Sequence, residues 1–177
     1  LPFQLNPDMP QAGMRREDYL LRKFGQTDGG DRYAQVKAAG LSEGLSFALE
    51  RVARMPNTLK AHALVAAAFE MGIQAAVKEA LMRAFFMEGQ DLTDDTVLIQ
   101  IAHEAGMASE AAHAVVHDSA LHRDIAAQDV ELRQLGIQGV PFFIINRHFG
   151  VSGAQPPQAL LAAMQRAALE PSDDEPA

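Results

Sequence analysis

The segment Gly139-Val140-Pro141-Phe142-Phe143-Ile144-Ile145-Asn146 constrains this chain more than any other. Proline donates no backbone N–H, so within a sheet it stands at a strand's first residue, at an edge or at a bulge. Pro141 therefore opens a strand, and the apolar run behind it continues that strand. An X-Pro bond is the one peptide bond that turns cis at modest cost. A cis bond here would leave the N–H and C=O of Val140 unpaired and open to an extended peptide. A trans bond would make an ordinary strand start, and spacing alone leaves both open.

The residues around it extend the pattern. Phe142 to Asn146 reads as a strand, Arg147-His148 as a tight turn, Phe149 to Ser152 as a second strand and Gly153 as a break. A helix follows, with Pro156 and Pro157 in its first turn, where a missing N–H costs little. Leu160, Leu161, Met164 and Ala168 form an apolar stripe expected to pack on the sheet. This is a β-β-α unit. Upstream, the periodicity predicts helices at 15–24, 31–39, 58–71, 74–88, 94–105, 109–116 and 119–135, separated by Gly-bearing or polar breaks. Val77, Ala80, Leu81, Ala84 and Phe85 share one face, as do Val97, Leu98, Ile101, Ala102 and Ala105. Asp94 and Asp95 fall in a first turn, where the helix dipole favours acids. The segment 58–71 is apolar nearly all round and should be buried centrally.

Taken together, PFQLNPDMP at 2–10, GMRREDYLLRKFG at 13–25, PNTLKAH at 56–62 and GVPFFIINRHFGVSGAQPPQALLAAMQRA at 139–167 resemble the DsbA-like oxidoreductases of the FrnE type, over nearly the whole chain. The resemblance implies an α/β thioredoxin-like (DsbA-type) fold with a large all-helical insertion. Residues 1–10 would be a remnant strand of the thioredoxin-like domain, 11–135 the helical insertion, 136–169 the C-terminal β-β-α part and 170–177 a disordered acidic tail. It also implies substrate-binding roles. Pro141 would be the family's cis proline, Val140 the residue that pairs with substrate backbone, and Gly139 the glycine ahead of them. Thr58 and His62, in the segment that roofs the family's thiol groove, would line that groove.

The family's chemistry is thiol–disulfide exchange on polypeptide substrates, by a CxxC pair after the first strand. These 177 residues contain no cysteine, and neither serine nor a methionine thioether can form and release a disulfide. The resemblance thus implies that the first strand and active-site helix are missing here. The start at Leu1 leaves open an expression boundary, a proteolysed product, an internal start codon and a damaged gene. If the chain is complete, the exposed sheet edge should favour strand exchange or a homodimer. Two alternatives stand beside the oxidoreductase. One is a glutathione-dependent isomerase or transferase of the kappa or 2-hydroxychromene-2-carboxylate isomerase type, weakened because Gly153-Ala154-Gln155-Pro156-Pro157 lacks the acid and arginine those relatives carry. The other is a non-catalytic peptide-binding module.

Other constellations offer weaker chemistry. His113 and His117 have i, i+4 spacing, with His103, Glu104 and His122 nearby, but no third ligand stands at a telling spacing, so a solvent-facing histidine stripe is expected rather than a metal site. Asp91, Thr93 and Asp95 begin like a calcium loop, yet Ala102 stands where the bidentate Glu belongs. No cofactor is expected. Asn57-Thr58 is a candidate helix N-cap. The net charge of −8, with Glu170, Asp173, Asp174 and Glu175 in the tail, argues against nucleic acid and anionic membrane as partners. No apolar stretch approaches the length of a membrane span, and a cytoplasmic protein is expected.

Overall fold

The computed structural model describes residues 1–147 and 149–169. His148 and the acidic tail 170–177 lie outside the described residues. The chain forms two compact units, one of Leu1, Phe3 and the residues from Gln128 on, the other of Pro2 and Gln4–Ala127.

The larger unit is helical: α1 (Arg16–Phe24), α2 (Gly30–Ser42), α3 (Leu59–Glu70), α4 (Gln74–Arg83), α5 (Asp95–Glu104), α6 (Ser109–His117) and the first turns of α7 (Ser119–Gln134). All seven helices predicted from periodicity are present. α3 packs against α4 and α6, and α5 packs against both of those. Ala63, Leu64 and Ala68 of α3 are fully buried, and Leu64 and Ala68 cluster with Val77, Leu98, Ile101 and Val116 from the neighbouring helices. Each such aliphatic side chain contributes about 1.5–3 kcal/mol through burial. The small residues on α3 let its neighbours approach closely, although Phe69 and Met71 at its end are exposed.

α4 does not simply run on to residue 88. Ala84–Glu88 widens into a π turn, closed by Gly89 at φ 72° with Gln90 N–H donating to the Ala84 carbonyl at 2.8 Å. The wider turn keeps both Ala84 and Phe85 in the core, while Phe86 meets Phe85 edge-on at 5.0 Å from an exposed position. A second departure concerns the purely helical character expected of residues 11–135. Two short strands, β1 (Met14–Arg15) and β2 (Arg54–Met55), pair antiparallel with Met14 opposite Met55 and Arg15 opposite Arg54.

Residues 1–10, expected as a strand, pair with no other strand among the described residues. Backbone groups that gain no ladder partner turn to local bonds. Met9 N–H donates to Asn6 O and Gly13 N–H to Pro10 O. The loop is tethered from the next segment: Asn57 Nδ2 donates to Met9 O at 2.7 Å, and Arg54 donates twice to Ala12 O. Gly13 joins loop to β1 at φ 66°, where a Cβ would lie 2.6 Å from Met55 O and 2.7 Å from Thr93 Cγ2.

α7 begins at a cap. Asp118 Oδ1 accepts from Ala120 N–H at 2.9 Å and Leu121 N–H at 3.0 Å. The Leu121 N–H above all, joined by the Ala120 N–H, holds the Asp118 carboxyl below its ordinary value against an opposing effect of burial.

The smaller unit holds the hairpin β3 (Phe142–Ile145) and β4 (Phe149–Ser152) with α8 (Pro157–Leu169) against β4. The stripe expected on α8 is corrected. The helix buries Ala167, with Leu160 and Ala163 half-buried, while Leu161 and Met164 are 55% and 51% exposed. A two-stranded hairpin is too narrow to cover a four-residue stripe, so only the i, i+3, i+7 row turns inward.

Two outcomes follow. Gly13→Ala combines a disfavoured φ with a backbone collision and is expected to cost about 1–3 kcal/mol in urea unfolding. The Asp118 cap stabilises above the unfolded carboxyl's value of about 3.9 and is lost as pH falls through the lower folded value. Asp118→Asn should therefore melt below the parent at neutral pH, with the gap closing in acid.

Candidate functional site

The corner at Gly139–Phe142 is held from below by a short apolar cluster. Leu132 from α7, Ile137, Phe3 and Phe142 pack together. The chain leaves α7 through Gly136 at φ 84°, with Ile137 N–H donating to Leu132 O, which drops Ile137 into that cluster. Above it, Asp129 is 2% exposed and accepts from Arg133 Nε at 2.9 Å, while the Arg133 guanidinium lies 4.4 Å from the Phe3 ring centroid. The pair is at i, i+4 spacing, so the last turn of α7 presents one charge to neutralise the other and one cation to cover the aromatic floor.

Val140-Pro141 is a cis peptide bond. Val140 is 51% exposed, and neither its N–H nor its C=O has a hydrogen-bond partner among the described residues. The Pro141 carbonyl is taken: Gly153 N–H donates to it at 2.9 Å, closing the hairpin. Gly139 has nothing within 4 Å of where a Cβ would stand, so the space above the chain there is open. β3 pairs with β4 along one edge only, in the register Phe142 opposite Ser152 to Ile145 opposite Phe149. Its other edge carries outward backbone groups, and Phe143 and Ile144, on opposite faces, are 37% and 45% exposed. The connection at the far end uses Asn146 and Arg147, both at positive φ, with Asn146 Nδ2 donating to Ala167 O on α8.

Gly139, Val140 and Pro141 are contiguous in the smaller unit; Thr58 and His62 belong to the larger one. Thr58 stands at the N-cap of α3 but makes no capping bond through its side chain. Asn57 does this instead, its Oδ1 accepting from Leu59 N–H at 2.9 Å while its amide holds Met9. His62 is half-buried one turn into α3, its N–H bonded to Thr58 O.

The histidine pair is a surface arrangement. His113 and His117 stack at 4.3 Å between centroids, His117 Nδ1 is 2.8 Å from His113 O, and its Nε2 lies 3.6 Å from Asp95. Asp95 is itself held by Lys60 at 2.5 and 2.7 Å. With both ring nitrogens of His117 directed to oxygens, neither is aimed at a shared point with His113. Among the described residues no three His, Asp or Glu side chains group as metal ligands. Asp91 caps Thr93, and Asp94 accepts from Thr96 N–H as the N-cap of α5, so these acids start a helix. No helix among the described residues is long and apolar enough to cross a membrane.

Residues 2–165 match the DSBA-like thioredoxin domain. Among solved structures the chain is similar to a probable DsbA oxidoreductase from Streptomyces coelicolor, at 29% identity and a TM-score of 0.83 over 99% of this chain and 76% of that one. No curated protein matches. The architecture is thus a helix-rich DsbA-type thioredoxin fold.

Asp129→Ala removes the buried acceptor while Arg133, a third exposed, keeps access to water, so the expected cost is about 1–3 kcal/mol, read by urea denaturation, with loosening of the apolar cluster seen in the ring resonances of Phe3 and Phe142.

Proposed function

Because this chain belongs to the DSBA-like thioredoxin domain family, we propose that it supplies the polypeptide-holding part of a thiol–disulfide oxidoreductase of the FrnE type, with Val140 as the backbone clamp. The observation that carries this reading is the exposed, unpartnered N–H and C=O of Val140 beside the open edge of β3. An extended substrate segment adds to such an edge through main-chain hydrogen bonds, which fix its direction without demanding a particular sequence. Gly139 leaves room for that segment, and the exposed Phe143 and Ile144 offer apolar contacts to its side chains.

Disulfide exchange needs a thiolate. None of the 177 residues carries a thiol, so the redox step itself draws on a cysteine outside them. A second reading follows from the same composition: holding a polypeptide is the part of the reaction these residues can perform alone, which suits a peptide-binding module. Thr58 and His62, in the larger unit, are proposed as substrate contacts on the family resemblance alone.

The test is amide hydrogen exchange with an extended, cysteine-containing peptide. Peptide binding is expected to slow exchange at Val140 N–H by about two- to tenfold, since one net hydrogen bond is worth about 0.5–1.5 kcal/mol. Gly139→Ala should leave the melting temperature unchanged while weakening the peptide, because its added methyl meets only the space the peptide would fill. Peptide binding that protects other amides and leaves Val140 unaltered would sink the proposal. An unchanged affinity in His62→Ala would remove that residue from the site.

A further inference from the structure

A cavity of about 310 Å³ lies between the Leu5–Pro10 loop and α1 in the larger unit. It uses none of the residues at the Val140-Pro141 corner. Its floor is apolar, with Met9 buried, Met14 half-buried and Pro10 at the side. One wall is the face of α1 that carries Tyr19, Arg22 and Lys23, at i, i+3 and i+4.

These polar groups are organised toward one kind of ligand. Lys23 Nζ donates to the Tyr19 hydroxyl at 2.7 Å, and Asn6 Nδ2 donates to the same oxygen at 3.4 Å. With both lone pairs of that oxygen engaged, its remaining capacity is as a donor. The Lys23 ammonium also lies over the Tyr19 and Phe24 rings, at 5.2 and 5.6 Å from their centroids, which restricts its stem. Neither Arg22 nor Lys23 has a carboxylate within 4 Å among the described residues, so both cations are free to meet an anion at the cavity wall they share. In a chain of net charge −8, two adjacent cations on one cavity wall favour an anionic ligand over a neutral one. Asp8 is the only acid lining the cavity among the described residues. It brings the local charge to about +1, which matches a monoanion better than a phosphate dianion.

We propose that this cavity binds the carboxylate of an amphipathic acid, with Tyr19, Arg22 and Lys23 donating to the carboxylate and Met9 and Met14 receiving its apolar body. Carboxylate recognition by an Arg fork with a neighbouring hydroxyl donor is charge-assisted and directional. The carboxylate can come from a free small molecule or from the C-terminus of a peptide.

The probes are hexanoate, hexanol and inorganic phosphate, together with a leucine tripeptide as its free acid and as its amide. The readout is the methyl resonances of Met9 and Met14. Hexanoate or the tripeptide acid should shift both saturably, with hexanol and the amide at least about tenfold weaker, as expected for losing one charged hydrogen-bond partner. Arg22→Gln and Lys23→Gln, both exposed side chains, should each weaken the acid about tenfold, and Tyr19→Phe should weaken it while the fold, read by thermal melting, is kept. Tighter binding of the tripeptide acid than of hexanoate assigns the site to chain termini, and the reverse order assigns it to free acids. Equal affinity for hexanoate and hexanol, phosphate displacing the acid at lower concentration, shifts confined to other methionines, or no saturable shift with either acid would each overturn the proposal.

Discussion

The burial of one face of α3 is what the larger unit depends on. Ala63, Leu64 and Ala68 are completely enclosed, and the two alanines keep the α3 surface flat enough for α4 and α6 to pack directly against it. Their own buried residues, with Leu98 and Ile101 from α5, complete a single apolar cluster. Because that cluster fixes α3, it also fixes Asn57 at the N-terminal end of the helix. Asn57 in turn holds Met9 and with it the loop that walls the cavity beside Tyr19. A packing constraint thus reaches an exposed polar site in two hydrogen bonds.

The smaller unit rests on less. Its apolar cluster is four residues, and a hairpin of two four-residue strands cannot bury both of its faces, since an isolated two-stranded sheet is marginal in water. The buried Asp129, paired with Arg133 over the Phe3 ring, adds a directional element at the place where the apolar area is smallest. What the hairpin leaves open is the edge on which the proposed function rests: the exposure of Val140, Phe143 and Ile144 is a weakness in packing terms and, under that proposal, a requirement for binding.

Much of this was legible in residue order. The seven helices follow from local periodicity and Gly breaks, because helix hydrogen bonds link residues four apart and need no distant partner. Pro141 announced a strand start for the same local reason. Two of the departures involve distant partners. Residues 1–10 read as a strand, but a strand exists only when another pairs with it. The α8 stripe was drawn from spacing, whereas the width of the hairpin decided that Leu160, Ala163 and Ala167 turn inward and Leu161 and Met164 do not. Asn57-Thr58 was one candidate for the α3 cap, and the structure shows the Asn57 oxygen, not the Thr58 side chain, accepting from Leu59 N–H. Tyr19 carried no signal beyond sharing a helix face with Arg22 and Lys23, a pattern that any surface helix shows.

By itself, the order of amino acids determined the helical segments, the strand opened by Pro141, the family likeness and the absence of a thiol from these residues. Those properties depend on neighbours in sequence or on composition alone. Only the tertiary structure decided that Val140 is left unpartnered at an open edge, that Asp129 is buried against Arg133, and that a loop thirteen residues from Tyr19 hydrogen-bonds its hydroxyl. Each of these depends on which remote backbone or side chain arrives within about 3 Å, and sequence spacing holds no record of that distance.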